Sequence, residues 1–310
     1  MFNFRTDLAD ERTELLKKDF NEKDLDGIIS EEKKYSDSIS VNTVKVTNDY
    51  GSKKIDKKIG TYTTINIKNI SIINQSDLDF IVDIFSEELR KLINNYKSFL
   101  IVGLGNEDTT ADSIGPKVVK NIEITRHIIK YKPELLPSNS LEISAIAPGV
   151  LGTTGIETQE ILKGIIDKIH FDALIIIDAL SSNNISRLLK TIQLCDTGII
   201  PGSGVENKRK EISLDTMGIP VIAIGVPTVV EAATIVTDTL NILESKFSEF
   251  NFLKDSTYED KHKLIRTVLE PSDFNLSVMP KEIDDLVDNM NQVISYGINK
   301  TLTMDNVINN

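Results

Sequence analysis

Ala173-Leu174-Ile175-Ile176-Ile177-Asp178 is an unbroken apolar run that stops on a carboxylate. A strand without polar alternation is buried on both sides, as in a parallel sheet covered by helices. A second run, Phe99-Leu100-Ile101-Val102-Gly103-Leu104, passes into Gly105-Asn106 and delivers Asp112 a few residues later. In open α/β sheets, ligands bind in the crevice outside the carboxyl ends of the strands. Asp112 and Asp178, each where an apolar run gives way to a small-residue loop, are therefore a candidate acid/base pair.

The same rhythm extends outward from these two runs. Pro116 suits the first turn of a helix, where its missing N–H costs nothing, and Val118, Val119 and Ile122 continue that helix. Leu141 to Ala147, Thr191 to Leu194 and Val221 to Val226 read as strands, and Thr158 to Ile169 and Val230 to Leu240 as helices. The alternation predicts an α/β fold, a mainly parallel twisted sheet with helices on both faces. Towards the N-terminus, Asp7 to Phe20 has helical spacing through Leu8, Leu15, Leu16 and Phe20, and Glu31 to Lys34 reads as solvated surface. Ser40 to Thr47 and Gly60 to Ile67 alternate as strands of a hairpin or meander, with turn residues around Asn48 to Ser52, so an N-terminal β segment is added to the sheet. Phe80 to Leu92 is a helix by its spacing. Beyond an exposed loop at 249–256 come a charged helix, Tyr258 to Leu269, and an amphipathic one after Pro280. The latter carries Ile283, Leu286, Val287, Met290, Val293, Ile294 and Ile298 on one face.

Composition narrows the functional classes. The chain has 310 residues, 40% hydrophobic and 26% charged, enough for a sizeable core. Its apolar stretches fall far short of a membrane span, and no secretory signal is visible. Cys195 is the single cysteine, so no internal disulfide can form, which suits a reducing compartment. A net charge of −12 repels phosphate backbones, arguing against direct nucleic-acid binding and favouring encounter with basic proteins.

Other motifs carry less. Gly103-Leu104-Gly105-Asn106-Glu107-Asp108 lacks the third glycine of a dinucleotide fingerprint and adds acidic residues that repel a pyrophosphate, so its glycines read as a tight turn and no cofactor is expected. Asp196-Thr197-Gly198 imitates the tripeptide of pepsin-like proteases, which need two such loops in an all-β body, so here it reads as a turn. His127, His170 and His262 frame no serine or zinc motif, and His170 lies roughly 25 Å of strand away from Asp178. Cys195 reads as a buried small hydrophobe. The two aspartates remain. Unit charges 4 Å apart at an effective dielectric near 20 repel by about 4 kcal/mol, roughly three pKa units. One carboxyl of such a pair holds a proton while the other stays ionised, and together they can activate water and protonate a leaving amine. The alternative is a metal held between them, with Glu107 and Asp108 as further oxygen ligands.

In their joint order, the motifs resemble the germination protease family of spore-forming bacteria, endopeptidases that degrade small acid-soluble spore proteins. The resemblance runs through Arg5-Thr6-Asp7-Leu8-Ala9, Val102-Gly103-Leu104-Gly105-Asn106 with Asp112 and Gly115-Pro116, and Ala147-Pro148-Gly149-Val150. It continues through Ile177-Asp178-Ala179-Leu180, Asp196-Thr197-Gly198 with Pro201-Gly202-Ser203-Gly204-Val205, Gly225-Val226-Pro227-Thr228 and Pro280-Lys281-Glu282-Ile283-Asp284. It implies an atypical aspartic-type peptidase with Asp112 and Asp178 as its catalytic residues and no cofactor. It also implies a self-processing zymogen, a homotetramer, and residence in the cytoplasm of the forespore and in the spore core. Residues 1–7 would be a short propeptide cut near Asp7-Leu8, and residues 8–310 a single peptidase domain. The family fold is similar to hydrogenase maturation proteases, so a metal-dependent maturation-type peptidase using the same acidic cleft is the alternative. Ala111 stands where the family pattern has proline, and Glu206 where it has glycine. Gly149 to Gly155 and Gly202 to Val205 are expected to frame the substrate channel.

Overall fold

One mixed sheet runs through the protein, and its two halves obey different rules. The computed structural model describes residues 6–19, 26–68, 70, 74–93, 95–202, 209–247, 256–269 and 276–304. The strands are β1 (Ile28–Lys34), β2 (Ile39–Val46), β3 (Gly60–Ile67), β4 (Ser98–Gly103), β5 (Glu142–Ile146), β6 (Ala173–Ser182), β7 (Thr191–Cys195), β8 (Val221–Glu231) and β9 (Ser277–Val278). The helices are α1 (Ala9–Asp19), α2 (Asp49–Ile55), α3 (Gln75–Leu92), α4 (Ile114–Lys120), α5 (Arg126–Tyr131), α6 (Leu151–Thr154), α7 (Thr158–Ile166), α8 (Leu214–Met217), α9 (Ala232–Lys246), α10 (Tyr258–Leu269) and α11 (Ile283–Met304). Across the sheet the strands run β1-β2-β3-β7-β8-β6-β4-β5, with β9 on the far end of β8.

The sheet is mixed, which corrects the expectation of a mainly parallel one. β8, β6, β4 and β5 pair in parallel. β1, β2, β3, β7 and β8 pair antiparallel, as do β8 and β9. The parallel half holds the unbroken apolar runs, buried on both sides. The antiparallel half begins with β1 and β2, β3 follows after α2, and β7 joins it to the rest.

Each face has its own helices. Ile65, Ile192, Leu194, Ile224, Ile175, Ile177 and Ile101 point to the side packed by α3, α4 and α11. All seven apolar positions named on the C-terminal helix are buried there, from Ile283 to Ile298. On the opposite side, Leu100, Val102, Leu174 and Ile176 pack against Leu162 of α7. Val44, Tyr62, Cys195 and Ala223 meet Ala9 and Leu16 of α1 on that side. Cys195 is thus a buried member of the core.

Three local readings change. Glu31 to Lys34 is solvent-exposed, yet it belongs to the edge strand β1; a charged edge discourages pairing with a second sheet. Asn48 to Ser52 opens a short helix, capped by the Asn48 side chain on Gly51 N–H at 2.8 Å. β8 continues through Pro227 to Glu231, so the helix begins at Ala232. Proline is tolerated there because the ladder to β6 shifts register between Leu180 and Ser181. Phe20, most of the 249–256 loop and Ser203 to Val205 lie outside the described residues.

Candidate active site

β4 ends at Gly103, which pairs with Ile177, whereas β6 runs on to Ser182. Asp178 is therefore inside its strand, one residue beyond the point where its neighbour stops. The space alongside is taken by the chain from Leu104 to Asp112. Gly105 makes that path possible: its φ is +114°, and a Cβ there would lie 2.0 Å from the Asp112 carbonyl oxygen. Gly103 and Gly115 bring α4 against the end of β4 with the same economy of space. The loop folds back, and Asp112 Oδ2 accepts from Asn106 N–H at 2.8 Å. The glycines thus serve a tight turn and a close approach.

Asp112 and Asp178 line one cavity of about 340 Å³, together with Asp7, Gly149, Gly202 and Arg209. Asp178 is 6% exposed and Asp112 is half-buried. Burial, then the charges of Asp112 and Asp7, hold the Asp178 carboxyl well above the usual carboxylate range; one hydrogen bond from Ala179 N–H to Oδ1, 3.0 Å, opposes them. Burial also raises Asp112, with the Asn106 N–H pulling the other way. The environments therefore differ: Asp178 keeps its proton more strongly.

Asp7 is the cavity residue that composition and spacing did not supply. Its N–H donates to Ser181 O at 3.0 Å, and its Oδ2 accepts from Ser181 N–H at 3.0 Å. The segment behind it is anchored. Arg187 contacts Asp10 at 2.6 Å, Glu11 at 3.4 Å and Glu14 at 2.9 Å. Glu11 also accepts from Ser182 Oγ at 2.6 Å, from Asn183 N–H at 2.9 Å and from Thr6 Oγ1. Desolvation raises the Glu11 pKa in spite of these donors. In the sequence, Asp7 stands out only through the Arg5-Thr6-Asp7-Leu8-Ala9 motif of the resemblance.

The remaining candidates fall elsewhere. Glu107 pairs with Lys120 at the surface, and Asp108 is exposed. Asp196 accepts from Thr61 N–H at 2.8 Å and lines a different cavity. His170 is exposed beside Asp172, and none of the three histidines lines the aspartate cavity. Gly149, Val150, Leu151 and Gly202 do line it. Among the described residues, no three His, Cys, Asp or Glu side chains are grouped to hold a metal ion, and no helix is long and apolar enough to cross a membrane.

The model of the germination protease family matches residues 5–257 and 250–310. The chain belongs to the germination protease family. A germination protease of Clostridium perfringens is 41% identical over 318 residues, covering 99% of this chain and 98% of its own. One from Caldanaerobacter subterraneus subsp. tengcongensis is 42% identical over 320 residues, covering 97% and 95%. One from a Geobacillus species is 40% identical over 352 residues, covering 97% and 94%. Among solved structures, a NiFe hydrogenase maturation protease, HycI from Thermococcus kodakarensis, aligns with a TM-score of 0.30 at 16% identity. The alignment covers 46% of this chain and 80% of that one. As a member of the germination protease family, the protein is a peptidase.

Proposed function

We propose that this germination protease family member is an aspartic-type endopeptidase that degrades small acid-soluble, DNA-binding spore proteins during germination. Asp112 and Asp178 activate the attacking water. The observation that carries the reading is that these two carboxylates, Asp112 from the loop after β4 and Asp178 from within β6 just past the end of β4, line one cavity. Ionised Asp112 takes a proton from water as its oxygen adds to the scissile carbonyl carbon. Protonated Asp178 gives a proton to the amide nitrogen as the C–N bond breaks. The higher hold of Asp178 on its proton favours this division.

Family membership also supports a zymogen that removes its own N-terminal segment near Asp7-Leu8, a homotetramer, and work in the forespore and spore core. The seating of Asp7 in the cavity favours the first of these. A net charge of −12 suits an enzyme that meets basic proteins while staying off DNA.

The test is cleavage of a purified small acid-soluble spore protein by Asp112→Asn and Asp178→Asn, made separately. Each is expected to lose about 10³-fold in rate, within the range for removal of a general acid or base. Retention of most activity in either variant removes that residue from the mechanism. Chelator treatment is expected to leave the rate unchanged; a chelator-sensitive rate restored by metal overturns the metal-free reading.

A further inference from the structure

The carbonyl oxygen of Asp7 has two side-chain donors. Lys57 Nζ lies 2.7 Å away and Gln193 Nε2 lies 3.2 Å away. Gln193 reaches further along the same segment, because its Oε1 accepts from Ala9 N–H at 2.8 Å. One carboxamide therefore brackets Leu8 from both sides. Gln193 is 6% exposed in β7, a strand buried along its whole length. A polar amide in such a place costs stability unless its groups are paired. Here the partners of Gln193 are the main-chain atoms of residues 7 and 9.

Lys57 is drawn into the same place from the turn after α2. Desolvation, then the neighbouring Arg12 guanidinium, lowers its pKa to about 8, while Asp7, Cys195 and Asp56 act in the opposite sense. Its ammonium also sits 6.0 Å from the centre of the Tyr62 ring. The register ties these donors to the aspartates. Gln193 pairs with Gly225, and Gly225 pairs with Asp178, so Gln193 and Asp178 stand in one row on one face of the sheet. They are two strand spacings apart, about 10 Å.

We propose that Lys57 and Gln193 form an oxyanion cradle for self-cleavage of the Asp7–Leu8 bond. The proposal rests on the processing reading above. Water oxygen bonds to the Asp7 carbonyl carbon, and the water proton passes to the ionised carboxylate of the pair. The carbonyl π electrons move to the oxygen, where the Nζ–H and Nε2–H groups stabilise the developing negative charge. The tetrahedral species collapses, the bond to Leu8 nitrogen breaks, and that nitrogen takes the proton of the protonated carboxyl. The products are an α-carboxyl at Asp7 and an amine at Leu8; Lys57 and Gln193 keep their own protons.

The experiment follows the appearance of the Leu8 N-terminus by intact mass in the full-length protein, with folding checked by circular dichroism. Lys57→Met removes one donor. Gln193→Glu removes the other while keeping an oxygen for Ala9 N–H, so it carries the test if the lysine variant does not fold. Each folded variant is expected to cut itself about 100-fold more slowly. A slowing of tenfold or more upholds the cradle. A smaller loss in either folded variant overturns it and leaves the processing reading standing. A wild-type protein that cuts a spore protein in trans yet leaves Asp7–Leu8 intact overturns both.

Discussion

Asp7 and Ser181 are joined by a reciprocal pair of hydrogen bonds, one through each backbone N–H and both 3.0 Å long. Ser181 is three residues past Asp178, so this bond pair holds the Asp7 charge where it raises the Asp178 pKa. Removing that charge must let Asp178 ionise at lower pH. Asp7→Asn keeps an oxygen for Ser181 N–H and deletes the charge. Its Asp178 carboxyl, followed by carbon-13 NMR in the uncut chain, is expected to titrate at lower pH than in the uncut wild type. An unchanged midpoint would show that Asp7 does not tune the site.

Burial of Asp178 also makes a statement about stability. Its folded pKa is raised, so below about pH 4 the group is protonated folded or unfolded and costs nothing. As pH rises, the unfolded chain releases the proton first, and the folded state loses about 1.4 kcal/mol per pH unit until Asp178 itself ionises. Asp178→Asn escapes this loss and keeps an acceptor for Ala179 N–H. Denaturant titrations are expected to show the variant gaining on the wild type as pH rises above about 4. A difference that stays flat with pH would refute this.

Gly105→Ala tests the loop that carries Asp112. The backbone there has a positive φ, and the added methyl would meet the Asp112 carbonyl oxygen. The strain is of order 1–3 kcal/mol, and relief requires Asp112 to move. Cleavage is expected to fall more than tenfold in a protein that still melts cooperatively. Wild-type activity would mean that the position of Asp112 is not critical.

Arg187→Met removes the cation shared by Asp10, Glu11 and Glu14. Asp10 and Glu11 are buried and would be left without it. Breaking such a cluster is expected to cost about 3–5 kcal/mol in a denaturant titration. A loss under about 1 kcal/mol would show that the cluster is solvated and loosely held.

Much of this arrangement can be read from the residue order, and the rest cannot, for physical reasons. Buried strands such as Ala173 to Ile177 and the helix from Ile283 to Met304 declare themselves, because burial demands an apolar periodicity that survives in the sequence. β1 does not, since an exposed edge strand is free to carry charges. Pro227 hides the continuation of β8, because only the register shift at Leu180 makes a proline acceptable. Asp112 and Asp178 stand out as carboxylates following apolar runs. Lys57 is lost in a run of lysines, and its part-buried contact with Asp7 depends on a fold that joins residues 50 positions apart. The parallel expectation was too broad because strand direction is set by connections, which apolar patterning does not record.

The anchoring of Ala9 to Gln193 spans 184 residues. A chain made from its N-terminus cannot complete that contact until the strands of the later half have left the ribosome and paired. The cutting apparatus and the bond proposed for it therefore meet only after most of the polypeptide exists, which builds a delay into biosynthesis and shields the nascent chain from its own chemistry.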